Sequence, residues 1–421
     1  MTILRTFAGV AGFAPSWARA PLVHVQNRET LRFDVGSLLR TTGAHRNGIA
    51  RPRSRCRPWR QAWLRACASL SLLAPFAASA ADSAAAQQAS FRTENQLVVK
   101  VPSGAKQVRI WFPVPQQTPW NKVTSFSVDS AYPVQYHEDS WGNRVGYIDV
   151  ERPAAATIDI TEHFDQTITE RQTRLDPSKT RPLTDAERVA LQRYLLPTSY
   201  VIVDDQIKNL AKQIVGGEQN PILAARKLYD WTLDHVTYWV EYPDRMKPSD
   251  FGSTDFCLQT KSGNCTDFHS LFSSLAMADG IPTRIVYGSL LTPTLDGVKV
   301  DGSYHCWIEF YAANYGWIPL DVSLADIYGK EFPLTDQNRT LVERTTATGY
   351  HGFDKSKIDY YFGNLDDRRF PWSTGRDLMM QPPQQDGPVN SLATLYVEVD
   401  GKRYTGWTRK LTYAQTAGKS E

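Results

Sequence analysis

Cysteine is scarce in this chain. There are five in 421 residues, and the nearest two, Cys257 and Cys265, stand too far apart for the closely spaced ligand pairs of a zinc ribbon. Lysine is absent from residues 1–80, which hold 12 arginines and only two acids, Glu29 and Asp34. Beyond that end 35 basic residues face 42 acidic ones, so the formal charge of +3 does not mark a nucleic-acid partner. No apolar run reaches the roughly 20 residues a bilayer-crossing helix needs. Glycine-rich phosphate loops, carbohydrate-binding repeats, internal repeats and coiled-coil heptads are also lacking, which removes nucleotide-handling and solenoid readings.

The basic end reads as targeting. Arg57, Arg60 and Arg65 precede the apolar run Ala66 to Ala77, and the small-residue site Ala78-Ser79-Ala80 follows. This pattern predicts a leader cleaved near Ala80, a periplasmic or secreted location, and no integral span in the mature chain; a retained anchor is the alternative. Residues 1 to about 55 are low in complexity and precede the leader, as expected of a start codon assigned too far upstream. Cleavage leaves Cys257, Cys265 and Cys306 in a compartment that permits disulfides. With Cys265 as a working thiol, Cys257 and Cys306 are free to pair; two small buried thiols are the other reading.

Residues 81–90 are a polar linker. Short β-rich runs follow at 96–101, 107–112, 123–128, 144–150 and 157–164, separated by Pro, Gly, Asn and Asp. They predict a β-sandwich-like domain over 91–180. A helical stretch then begins, with helices expected at 185–196, at 204–215 ending in Gly216-Gly217, and from the Asn220-Pro221 start to about His235. Strands are expected at 283–291, 305–311 and 316–322. The helix-then-strand core so outlined spans 185–345, and 346–421 reads as a strand-rich extension of it, with closing strands at 395–399 and 405–413 around an Asp400-Gly401 turn.

The informative stretch is Gly263-Asn264-Cys265-Thr266-Asp267-Phe268. Apolar residues at Phe268, Leu271, Phe272, Leu275 and Ala276 keep helical spacing, and Gly280 with Pro282 stops the helix, so it should run from Cys265 to about Asp279. A thiol at a helix N-terminus meets unpaired N–H groups and a positive dipole end, which favour the thiolate. Taken alone, Cys265 is more often a buried structural thiol. Farther on, Ser303 to Tyr311 supplies His305 on a strand, sharing a face with Trp307 and Glu309 while Cys306 and Ile308 point the other way. Cys306 is therefore a poor member of the same site. A short turn returns the chain through Trp317 to Asp321, within reach of the histidine. His269, one helical turn beyond Cys265, competes as a base but lacks an evident acid to orient it. Trp307 and Trp317 read as core.

In this order the residues resemble the transglutaminase-like superfamily: Gly-x-Cys-x-Asp-Phe at 263–268, Gly-Ile-Pro-x-Arg at 280–284, His-x-Trp-x-Glu at 305–309 and Gly-Trp-x-x-x-Asp at 316–321. The likeness extends upstream into 224–238. It implies an α+β fold, a papain-like transglutaminase core in which the helix carrying the nucleophile packs on an antiparallel sheet, preceded by the β-sandwich. It further implies Cys265 as nucleophile, His305 as base and then acid, Asp321 as the orienting acid, no cofactor and no metal. The reaction would be acyl transfer at a peptide or glutamine-type amide through a thioester, hydrolysis being favoured over crosslinking. Gln259 has the spacing of a papain-like oxyanion donor, although a surface glutamine is the commoner case. Protein or peptide substrates, among them cell-envelope peptides, are the expected partners; oligomeric state is not legible. A catalytically silent envelope binding module of the same fold is the alternative.

Overall fold

The computed structural model describes residues 86–298, 302–346 and 349–417, so the leader expected at 57–80 lies outside the described residues. The first strands are β1 (Gln88–Lys100), β2 (Gln107–Pro113), β3 (Asn121–Ser130), β4 (Gln135–Glu138), β5 (Arg144–Glu151), β6 (Thr157–Thr169) and β7 (Arg171–Gln172). Helices α1 (Asp185–Ala190), α2 (Asp205–Val215) and α3 (Pro221–His235) follow, then β8 (Thr237–Tyr238), α4 (Thr254–Thr260), β9 (Ser262–Gly263) and α5 (Cys265–Ala278). The chain continues through β10 (Thr283–Leu290), β11 (Tyr304–Ala312), β12 (Gly316–Leu320), α6 (Val322–Ile327), α7 (Arg339–Thr345) and α8 (Lys355–Tyr360). It closes with β13 (Asn364–Leu365), β14 (Arg369–Thr374), β15 (Tyr396–Val399), β16 (Lys402–Arg403) and β17 (Trp407–Ala417).

Two sheets of order β17-β1-β6-β3 and β16-β15-β2-β5-β4 form a sandwich. Alternate residues point inward, so Leu97, Val99, Ile158 and Ile160 from one sheet meet Val108, Ile110, Phe112 and Ile148 from the other. The strands expected to extend the catalytic core belong here instead. β17 pairs with β1 from Ser90↔Ala417 to Val99↔Trp407, and β15 pairs with β2. The 13-residue β1 has hydrogen-bonding groups on both edges, β6 covers one, and the other is left for a strand some 300 residues away. The Asp400-Gly401 turn does join β15 to β16, with positive φ at both residues as a tight hairpin of this kind requires.

A third sheet, β12-β11-β10-β14, is antiparallel throughout. Its inner face presents Ile285, Tyr287, Cys306, Ile308 and Phe310 to α5, which is buried from Cys265 to Ala276 and surrounded by the other helices. An amphipathic stripe would not suffice for such a helix, and its apolar and small residues on every side are the reason it occupies the centre. Its end is a Schellman motif: Ile281 N–H donates to Ala276 O and Gly280 N–H to Met277 O, with Gly280 at φ 77°. The helix expected over 185–196 stops at Ala190 and gives way to a 3-10 turn, since α1 buries none of its residues and gains nothing from packing.

Candidate active site

Asn264 sets where α5 begins. Its side chain accepts from Thr266 N (2.9 Å) and Asp267 N (3.0 Å), while Asp267 returns the contact to Asn264 N at 2.8 Å, a complete capping box. Asp267 also receives Ser253 N at 2.7 Å and the Ser249 hydroxyl, tying the preceding loop to the helix. Gly263 leaves room for this carboxylate, because a Cβ there would lie 2.3 Å from Asp267 Cβ. Cys265 is thereby held as the first residue of α5, only 3 % exposed.

His305 enters at the start of β11, beyond the last pair with β12, Ile308↔Leu320. The chain leaving β12 therefore ends as a strand at Leu320, and Asp321 becomes the N-cap of α6, with Oδ1 accepting Leu324 N (3.0 Å) and the Ser323 hydroxyl (2.9 Å). Its Oδ2 lies 2.7 Å from His305 Nε2 and also receives Arg369 Nη1 from β14. Burial resists charge on Asp321, but His305 and Arg369 outweigh it and hold the carboxyl well below its ordinary range. With Nε2 on Asp321, His305 has Nδ1 left for the thiol. Burial would lower the imidazole, yet the Asp321 carboxylate and Cys265 raise it to about 9.

The Cys265 thiol is pushed well below the usual thiol range, first by a hydrogen bond from Cys306 and then, against burial, by His305. Cys306 moves the opposite way, pushed up by burial and by its bond to Cys265, so it stays a neutral donor. This corrects the expectation from strand alternation. Cys306 does point to the inner face with Ile308, but that face is where α5 packs, and it carries Cys306 to Cys265. His269 is likewise better supported than expected: its Nε2 is 3.4 Å from Asp321 Oδ1, and its Nδ1 is 3.2 Å from Cys306 Sγ. Asp321 thus bonds His305 and lies beside His269, the two histidines facing one thiol each. Cys257, the third thiol, is buried on α4, and all three are free.

Two tyrosines to which the sequence reading gave no role in the site also reach it. The Tyr238 phenol is beside Cys265, and burial followed by that thiolate raises it well above its ordinary value, which keeps its O–H protonated. Tyr304 bonds Thr266 Oγ1 at 2.9 Å and is itself 39 % exposed. Gln259 is not brought in. It faces solvent on α4, whereas the cluster around Cys265 is buried.

Residues 208–322 match the Transglutaminase-like superfamily, a span that runs from within α2 to the start of α6 and contains Cys265, His305 and Asp321. The chain carries a transglutaminase-like core. Along its sequence it is 25 % identical over 327 residues to an uncharacterized protein of Haemophilus influenzae, covering 72 % of this chain and 83 % of that one. In structure it is similar to a protein of Cytophaga hutchinsonii described as a candidate cysteine protease, with a TM-score of 0.50 and 13 % identity over 79 % of this chain and 93 % of that one. That likeness is one of fold.

Within the transglutaminase-like core, the remaining motif residues are structural. Glu309 is buried in ion pairs with Arg284 (2.5 Å) and Arg171; burial raises its carboxyl, and the two guanidinium groups more than reverse it. Arg284 stacks over Trp317 at 4.3 Å. Together these pairs fix the sheet on which His305 stands. Chemically, the cluster offers a buried thiolate, an imidazolium whose far nitrogen is held by a carboxylate, and donors around the sulfur.

Proposed function

We propose that the protein is a cysteine-dependent acyl-transfer enzyme acting on peptide or glutamine-type amide bonds, with Cys265 as nucleophile, His305 as proton carrier and Asp321 as the acid that orients it. The observation that carries this reading is the convergence of Cys265, His305 and Asp321 in one buried cluster in which the thiol is lowered and the imidazole raised. The Cys265 thiolate adds to the carbonyl carbon, and the negative oxygen is met by the Cys265 backbone N–H at the helix start and the Tyr238 hydroxyl. His305 delivers the Nδ1 proton to the departing nitrogen, leaving a thioester and ammonia or an amine. A second nucleophile gives its proton to His305 as it attacks the thioester, and the thiolate is regenerated.

Water is the second nucleophile in our reading. The Cytophaga protein's description as a candidate protease agrees. With the leader read from the sequence, the site of action is the periplasm or the exterior, and envelope peptides are the substrate class; no helix among the described residues is long and apolar enough to cross a membrane. The test is mass spectrometry of a glutaminyl peptide library incubated with the mature protein, with and without a primary amine. Cleaved or deamidated products that vanish with Cys265→Ala support the proposal. Amine-linked products alone would replace hydrolysis by transamidation, and no product of either kind would leave the binding-module reading standing.

A further inference from the structure

The sheet face opposite α5 borders a second, separate feature. Between it and the sandwich lies a cavity of about 420 Å³, within the size range of small-molecule sites. Its floor is Trp307, 3 % exposed, over Gly288, where a Cβ would come within 2.6 Å of the indole ring. Trp120, Trp141 and Trp317 supply further aromatic lining.

The polar lining has an uneven hydrogen-bond account. Both oxygens of Glu309 are taken by Arg171 and Arg284, and those of Asp366 by Arg368 N (3.2 Å) and Arg369 Nε (3.0 Å). Arg171 spends its Nη atoms on Glu309 and on Trp317 O, and Arg369 spends Nη1 on Asp321. Arg171 Nε and Arg369 Nη2 are buried with no protein partner among the described residues, and Arg369 is 4 % exposed. One acceptor is in the same condition: Asn121 Oδ1, whose amide nitrogen is committed to Gln116 O at 2.8 Å. The three arginines are balanced by Glu309, Asp366 and Asp321, but Arg171 and Arg369 each keep one donor that these carboxylates do not use. Buried donors and acceptors of this kind are ordinarily paired, so their partner belongs to what fills the cavity.

We propose that this cavity binds the C-terminal end of a peptide. The α-carboxylate accepts from Arg171 Nε and Arg369 Nη2, the last amide N–H donates to Asn121 Oδ1, and the terminal side chains pack on the indoles. Guanidinium–carboxylate contacts are charge-assisted and strong where water is excluded. The site stands on its own geometry and does not depend on the chemistry at Cys265.

The experiment is calorimetric titration of the mature protein with N-acetyl-alanyl-alanine, its C-terminal amide, and glucuronate as a carboxylate without the amide N–H. The free acid should bind, and the amide should bind at least about tenfold more weakly, as should the free acid to Arg171→Lys and to Trp120→Ala. Arg171→Lys retains the charge beside Glu309 while removing the Nε donor, and Trp120 is 39 % exposed, so the second variant tests the site should the first not fold. Glucuronate binding as tightly as the dipeptide would overturn the peptide assignment. No heat from the dipeptide at millimolar concentration, equal binding of acid and amide, or binding unchanged by Trp120→Ala would overturn the site.

Discussion

Asp321 illustrates how much one carboxylate can be asked to hold. It caps α6, orients His305, receives Arg369 and lies beside His269, all while fully buried. An amide in its place cannot carry the charge that keeps His305 protonated near neutrality. Asp321→Asn is therefore expected to cut turnover on a reporter peptide by about 10³- to 10⁴-fold, and to move Cys265 alkylation to higher pH; unchanged turnover would remove Asp321 from the mechanism. Because the imidazole is raised to about 9, the ion pair with Cys265 is lost as pH rises through that value, and in the proposed reaction the departing nitrogen would then lack its proton source. Cys306 acts on the other side of the sulfur. Its S–H stabilises the Cys265 thiolate, so Cys306→Ala should shift the pH midpoint of Cys265 alkylation upward, whereas an unmoved midpoint would make Cys306 mere packing. Spacing left His269 without an acid, since the carboxylate beside both histidines comes from a cap whose position depends on where β12 stops.

At the scale of elements, α5 was the most legible part of the chain. Apolar spacing marks its start and Gly280 with Pro282 its end, and the helix spans Cys265–Ala278 against the expected 265–279. Gly263 is less obvious, because its role is space and not backbone freedom. A methyl group there meets Asp267 at 2.3 Å, so Gly263→Ala should destabilise the protein by about 1–3 kcal/mol in denaturant titrations and should disturb the helix start that presents Cys265. A wild-type stability curve would show that the loop accommodates the methyl group. Strand alternation correctly sorted Trp307 and Glu309 from Cys306 and Ile308. It could not say which face α5 would cover, and that is why Cys306 was set apart from the thiol it touches.

Over the whole molecule, the order of motifs revealed the core, but the sandwich was only half legible. Alternation identifies a strand and its faces, not its partner, and β15 and β17 find theirs in β2 and β1 across most of the chain. The buried carboxyls make a further demand that no pattern announces. Burial pushes Glu162 up to about 8, Glu241 to about 10 and Asp326 to about 6, the last two helped or opposed by their contact with one another and with Lys330. A carboxyl raised in the fold keeps a proton that the unfolded chain releases near its ordinary value, so its contribution to stability is complete in acid and is lost as pH climbs through the folded pKa. Thermal stability should accordingly fall from about pH 4, where the unfolded carboxyls ionise, up to about pH 10. Glu241→Gln should flatten that fall, and a slope equal to the wild type's would show that Glu241 is ionised in the folded protein.

The most direct test of the proposed chemistry is iodoacetamide labelling of the mature protein across pH, read by peptide mass spectrometry at Cys257, Cys265 and Cys306. Cys265 should label well below the free-thiol pKa of roughly 8.5, while Cys257 and Cys306, both pushed up by burial, remain unreacted there. Inert Cys265 beside reactive Cys257 or Cys306 would contradict an activated thiolate and leave the fold serving as a binding module.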